Sequence, residues 1–81
     1  MAPFTFNAFI LRLYDMLDPK EHNIIRYMEY NLEYSGDRNV ILYSYFWFAG
    51  YAKAMRAVKL INDTECKSII RDLRQKTKAL T

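Results

Sequence analysis

Apolar residues recur along this chain at intervals of three and four, and turn-forming residues interrupt the pattern at three points. Phe6, Phe9, Ile10, Leu13 and Leu17 share one helical face and predict a first helix from about Asn7 to Leu17. Asp18-Pro19 ends it, because proline disfavours helix at the residue before it and suits the first position of a new helix. Asp18 then serves as an N-cap, with Glu21 as the second half of a capping box. The second helix runs from about Pro19 to Tyr34 on the apolar stripe Ile24, Ile25, Met28 and Leu32. Tyr27 and Tyr34 flank that stripe, while Tyr30 projects toward the charged side with Arg26 and Glu33. Ser35 to Asn39 reads as a loop in which Gly36 stops the helix.

Asn39 to Leu60 carries two competing signals. Val40 to Phe48 is rich in strand-forming residues and fits a short buried strand. It continues without a turn into Ala49, Ala52, Ala54, Met55 and Ala57, which suit a helix, and the chain has no second strand to pair with it. One long helix is therefore expected, apolar all round at its start and so central and buried. Gly50 inside it costs about 1 kcal/mol relative to Ala and points to close packing by a neighbour.

The clearest local signal lies at Leu60 to Cys66. Asn62 and Glu65 have the spacing of a capping box, and Ile61 and Cys66 that of a hydrophobic staple. A fourth helix follows from about Asp63 to Lys78. Cys66, Ile69, Ile70, Leu73, Thr77 and Leu80 occupy one arc, and Lys67, Arg71, Arg74 and Lys78 another. The expected architecture is all-α: a single helical domain over residues 1–81, a compact four-helix bundle (or three long helices and one short) ending in an αα-hairpin.

Composition sharpens this picture. Seven Tyr, five Phe and one Trp in 81 residues are more large apolar groups than so small a core readily hides, so surface is left for another protein or another copy. A single cysteine excludes an intrachain disulfide, and with a single histidine it makes a zinc site hard to assemble. Cys66 reads as a small buried residue, and a cytoplasmic setting is expected. Residues 1–6 lack the basic region and apolar run of a secretory signal. The longest apolar run, Val40 to Ala52, is short of the roughly 20 residues a membrane span requires, so no membrane partner is expected. Charge is uneven. Residues 1–50 hold four basic and six acidic side chains, residues 51–81 eight and three.

Three surfaces are candidates for function. Tyr27, Glu29, Tyr30, Glu33, Tyr34 and Asp37 form a tyrosine–acid face suited to protein binding, above all to a basic groove, with Tyr30 its foremost contact residue. Lys67, Arg71, Arg74 and Lys78, extended by Lys53, Arg56 and Lys59, form a basic stripe suited to a nucleic-acid backbone. The acidic start Asp63-Thr64-Glu65 argues against base-specific reading by that helix. Tyr43, Trp47 and Tyr51 belong to an aromatic cluster suited to a homodimer interface.

No catalytic motif is present: no Gly-rich phosphate loop, no nucleophile elbow, no paired metal ligands. His22 and Glu21 are adjacent on a helix and do not face each other, and no cofactor or metal is expected. In general style, a short helical chain with a capped C-terminal hairpin, the protein resembles accessory proteins of phages and mobile elements. That resemblance implies a non-enzymatic inhibitor of a host defence or nucleic-acid-processing complex, working by steric occlusion or as an adaptor. A small nucleic-acid-binding regulator and a self-assembling structural subunit are the alternatives.

Overall fold

The computed structural model describes residues 5–78, and within them the chain is all-α. Helix α1 (Phe6–Met16) is followed by a 3-10 turn (Pro19–Glu21), α2 (His22–Tyr34), α3 (Arg38–Ala57) and α4 (Asp63–Lys78). Leu80 lies outside the described residues.

Side-chain caps start three of the four helices. Thr5 Oγ1 accepts from Ala8 N at 3.2 Å, Asp37 Oδ1 from Asn39 N at 2.8 Å. At α4 the expected box is complete: Glu65 N donates to Asn62 Oδ1 at 2.8 Å and Asn62 N to Glu65 Oε1 at 3.0 Å. Each satisfies a backbone donor that the helix itself leaves open. The junction at Asp18 departs from expectation. Asp18 Oδ1 accepts from Lys20 N at 3.0 Å, and Glu21 N turns to the Asp18 carbonyl at 2.7 Å. The tight i→i+3 turn takes the place of a capping box, and α2 proper starts only at His22.

Packing settles the ambiguous segment. Val40 to Phe48 is helical, part of α3. Ile41, Ser44, Phe48, Ala52 and Met55 recur at intervals of three and four and are buried. Phe48 is fully buried, edge-on to Phe6 (ring centroids 5.1 Å apart) and to Phe9 (6.4 Å). Burying one such ring is worth about 1.5–3 kcal/mol, whereas helix propensities differ by only tenths per residue. The single core therefore outweighs the strand-like composition. It collects Leu13 from α1, Ile25 and Leu32 from α2, and Ile69 and Leu73 from α4. Ser44, fully buried, donates its hydroxyl to Met28 Sδ at 3.4 Å. Ile61 and Cys66, on either side of the α4 cap, are both in the core.

Three expectations about α3 are overturned. It is not buried all round, because Tyr43 and Phe46 are 64% and 65% exposed. Gly50 faces open space, with nothing within 4 Å of a Cβ built there, so no close approach explains it. Helix α3 also ends at Ala57, three residues earlier than the pattern suggested. There Lys59 takes the left-handed conformation (φ 65°). Leu60 N donates to Met55 O at 2.8 Å and Lys59 N to Arg56 O at 3.0 Å, the paired bonds of a Schellman stop. No glycine marks this stop, so the sequence pattern runs past it.

A left-handed lysine is strained where glycine is not. Lys59→Gly is expected to raise stability by about 0.5–1 kcal/mol after glycine's own entropy cost. Urea unfolding followed by circular dichroism checks it, and a lower midpoint would contradict the assignment of strain at Lys59.

Candidate functional site

The residues of the three candidate surfaces are only partly brought together by the fold. On α2 the core side is Ile25, Met28 and Leu32. Tyr27, Tyr30 and Tyr34, spaced by three and four, lie opposite and are 62%, 62% and 68% exposed. The placement corrects one expectation: Tyr27 and Tyr34 do not border the core but stand as far out as Tyr30. Tyr30 and Tyr34 rest against each other with ring centroids 5.1 Å apart.

The acids of this face are divided from the tyrosines. Glu33 pairs with Lys76 of α4, Oε1 to Nζ at 3.8 Å. Lys76 in turn sits 5.6 Å from the centre of the Phe6 ring. Glu29 is half-buried on the same flank. Burial first, then the neighbouring Glu33, holds its carboxyl above the ordinary value of 4.5, and Lys76 pulls the other way. Asp37 is occupied as the N-cap of α3. The face is therefore an aromatic stripe with its carboxylates turned toward α4 or into a cap.

Asn31 escaped the sequence reading. It is buried beside the core residue Leu32, one helical turn from Tyr27 and from Tyr34, and its Nδ2 has no hydrogen-bond partner among the described residues. A buried amide left unpaired costs about 1–3 kcal/mol, so such a group calls for an explanation. Its signal in the sequence was a polar residue set between apolar positions 28 and 32.

On α3, Tyr43 is exposed, whereas Trp47 and Tyr51 are only half-exposed and pack against the core. Trp47 lies 5.0 Å from Phe48 and 4.7 Å from Tyr51, centroid to centroid. Of the proposed interface set, Tyr43 is the member free to meet another molecule. Phe46 joins it, with its ring edge-on to Tyr45 at 5.2 Å.

On α4, Lys67, Arg71 and Arg74 line one groove with Arg56 of α3, over a floor of Cys66 and Ile70. The groove encloses about 330 Å³. Arg74 Nε donates to Tyr45 Oη at 3.4 Å, and Arg56 Nε lies 3.7 Å from Asp63 Oδ1. The side chain of Lys78 is outside the described set. Lys53 and Lys59 are exposed and do not line this groove.

The single histidine and the single cysteine both have structural surroundings. His22 stacks edge-on with Tyr14 at 4.9 Å, and its Nε2 donates to the Tyr14 carbonyl at 2.8 Å. Cys66 is buried in the core. Among the described residues there is no cluster of three or more His, Cys, Asp or Glu side chains able to hold a metal, and no helix is long and apolar enough to cross a membrane.

The Glu29 environment has a measurable consequence. Its carboxyl binds a proton more tightly in the folded chain than in the unfolded one. Stability is therefore lost as pH rises from the ordinary carboxylate value through the folded pKa. Glu29→Gln is expected to raise the urea midpoint at pH 7, with the gain vanishing well below pH 4.5, where both forms are protonated. An equal gain at both pH values would mean that charge is not the cause.

Comparison with known proteins gives no match to a family model, a curated protein or a solved structure.

Proposed function

We propose that this chain is a non-enzymatic protein-binding module that docks through the outer face of α2, covering a surface of its partner or bridging two partners. The supporting observation is the stripe Tyr27, Tyr30 and Tyr34, three large aromatic side chains on one turn-to-turn line with more than half of each exposed. Tyrosine combines a broad apolar ring with a hydroxyl at low entropic cost, and it is enriched among residues that dominate binding energy. The contact between Tyr30 and Tyr34 restricts both rings before any partner arrives, which lowers the ordering cost of association.

Capture from a lysate of the organism that encodes the chain, read by mass spectrometry, tests this. The pair Tyr30→Ala and Tyr34→Ala is expected to cut recovery of the captured protein at least tenfold with helicity unchanged. Asn31→Leu is expected to raise the unfolding midpoint and leave capture unchanged, because it removes an unsatisfied donor that is buried away from the docking face. Full recovery with the double variant would remove this face from consideration.

A second reading, self-assembly through α3, is favoured by the exposure of Tyr43 and Phe46 on one side of an otherwise core-forming helix. Light scattering at high micromolar concentration is then expected to report a dimer that Phe46→Glu converts to monomer. A monomeric parent chain would dismiss it.

A further inference from the structure

We infer that the groove between α3 and α4 is a second binding site, independent of the tyrosine stripe, and that it takes one strand of nucleic acid by its phosphodiester backbone. Four cations converge there from two helices: Arg56 on α3, and Lys67, Arg71 and Arg74 on α4. The three on α4 span seven residues, about 10.5 Å of helix axis, a row long enough to meet successive phosphates of one strand. Three of the four are arginines, whose planar forks suit phosphate oxygens. Tyr45 accepts from Arg74 Nε and so steadies that guanidinium while its terminal nitrogens stay available.

The shape selects the kind of partner. Cations stand on both walls above the apolar floor of Cys66 and Ile70. A single strand laid in the groove can present phosphates to either wall and set its sugars on the floor. A duplex is read instead by a projecting element that enters one of its own grooves, and here the start of α4 carries Asp63 and Glu65. Asp63 is already engaged by Arg56 at the end of the groove. Lys67 and Arg71 have no hydrogen-bond or ion-pair partner among the described residues. An acidic peptide is the competing anion; a strand carries a charge on every nucleotide and sugars between them to lie on the apolar floor, which favours it over the peptide.

Fluorescence anisotropy of the full chain with a labelled oligothymidylate tests the site, with a hairpin duplex of equal length and a polyglutamate peptide as competitors. The strand is expected to bind at low salt, and log affinity should fall with log salt with a slope of about −2 to −3, because each neutralised single-strand phosphate contributes about 0.7. Lys67→Gln with Arg71→Gln, a pair that breaks no internal contact, should lower affinity at least tenfold and flatten the slope by about 1.4. Tyr30→Ala with Tyr34→Ala should leave this binding unchanged, so failure here is distinguishable from failure of the α2 proposal. No binding at low salt, an unaltered slope in the glutamine pair, equal or tighter binding of the duplex, or displacement by polyglutamate below the concentration of oligothymidylate needed for the same effect would each overturn the assignment.

Discussion

The most extensive helix pairing is α3 on α4, and on the same buried side of α3 Phe48 meets Phe6 and Phe9 of α1. This packing defines which side of α3 is inside. The remaining helices follow from that choice. Helix α2 meets α3 where Ser44 donates to Met28. Helix α4 closes over both, and is tied to α1 by the bond from Phe6 N to Asp72 Oδ2 at 3.2 Å. The turn between α3 and α4 is held in place by Arg12, which donates to the Leu60 carbonyl at 2.9 Å.

This choice has a geometric cost in exposed apolar surface. A helix can bury only part of its circumference in a core this thin. Helix α3 carries large rings on every side, so once Phe48 and Ile41 face inward, Tyr43 and Phe46 must face outward. The same reasoning applies to α2, where Asn23 and three tyrosines, Tyr27, Tyr30 and Tyr34, rather than charged groups lie opposite Ile25. Aromatic surface on two helices is thus a direct consequence of too many rings for one interior, and it is the physical basis for expecting a partner.

Electrostatics follow a different logic. Several acids are consumed by the fold itself. Asp18 and Asp37 cap, Glu65 completes the α4 box, Asp72 receives Phe6 N, and Glu33 and Asp63 pair with Lys76 and Arg56. The cations on the α3 side of α4 are not spent in this way. Glu65, Asp72 and Asp63 are all the acids of residues 51–81, so the positive character of the C-terminal segment survives folding as a local feature.

The four helices, the breaks between them and the Asn62–Glu65 box were legible in the sequence, because periodicity and capping are local and involve residues within one or two turns of each other. Val40 to Phe48 taken alone suits either a strand or a helix; the alanines after it and the lack of a partner strand point to helix, and the burial of Phe48 against Phe6 and Phe9 agrees. The end of α3 was hidden, because the stop at Lys59 rests on a backbone conformation that lysine does not announce. Likewise the positions of the candidate residues around their helices followed from periodicity, but their neighbours did not. That Glu33 is held by Lys76, that Trp47 folds back on the core, that Asn31 is buried unpaired and that Arg56 joins Lys67, Arg71 and Arg74 across one groove all depend on how helices far apart in sequence are set against each other. Only the tertiary structure supplies those distances, because each is determined by the packing of side chains that the linear pattern cannot bring together.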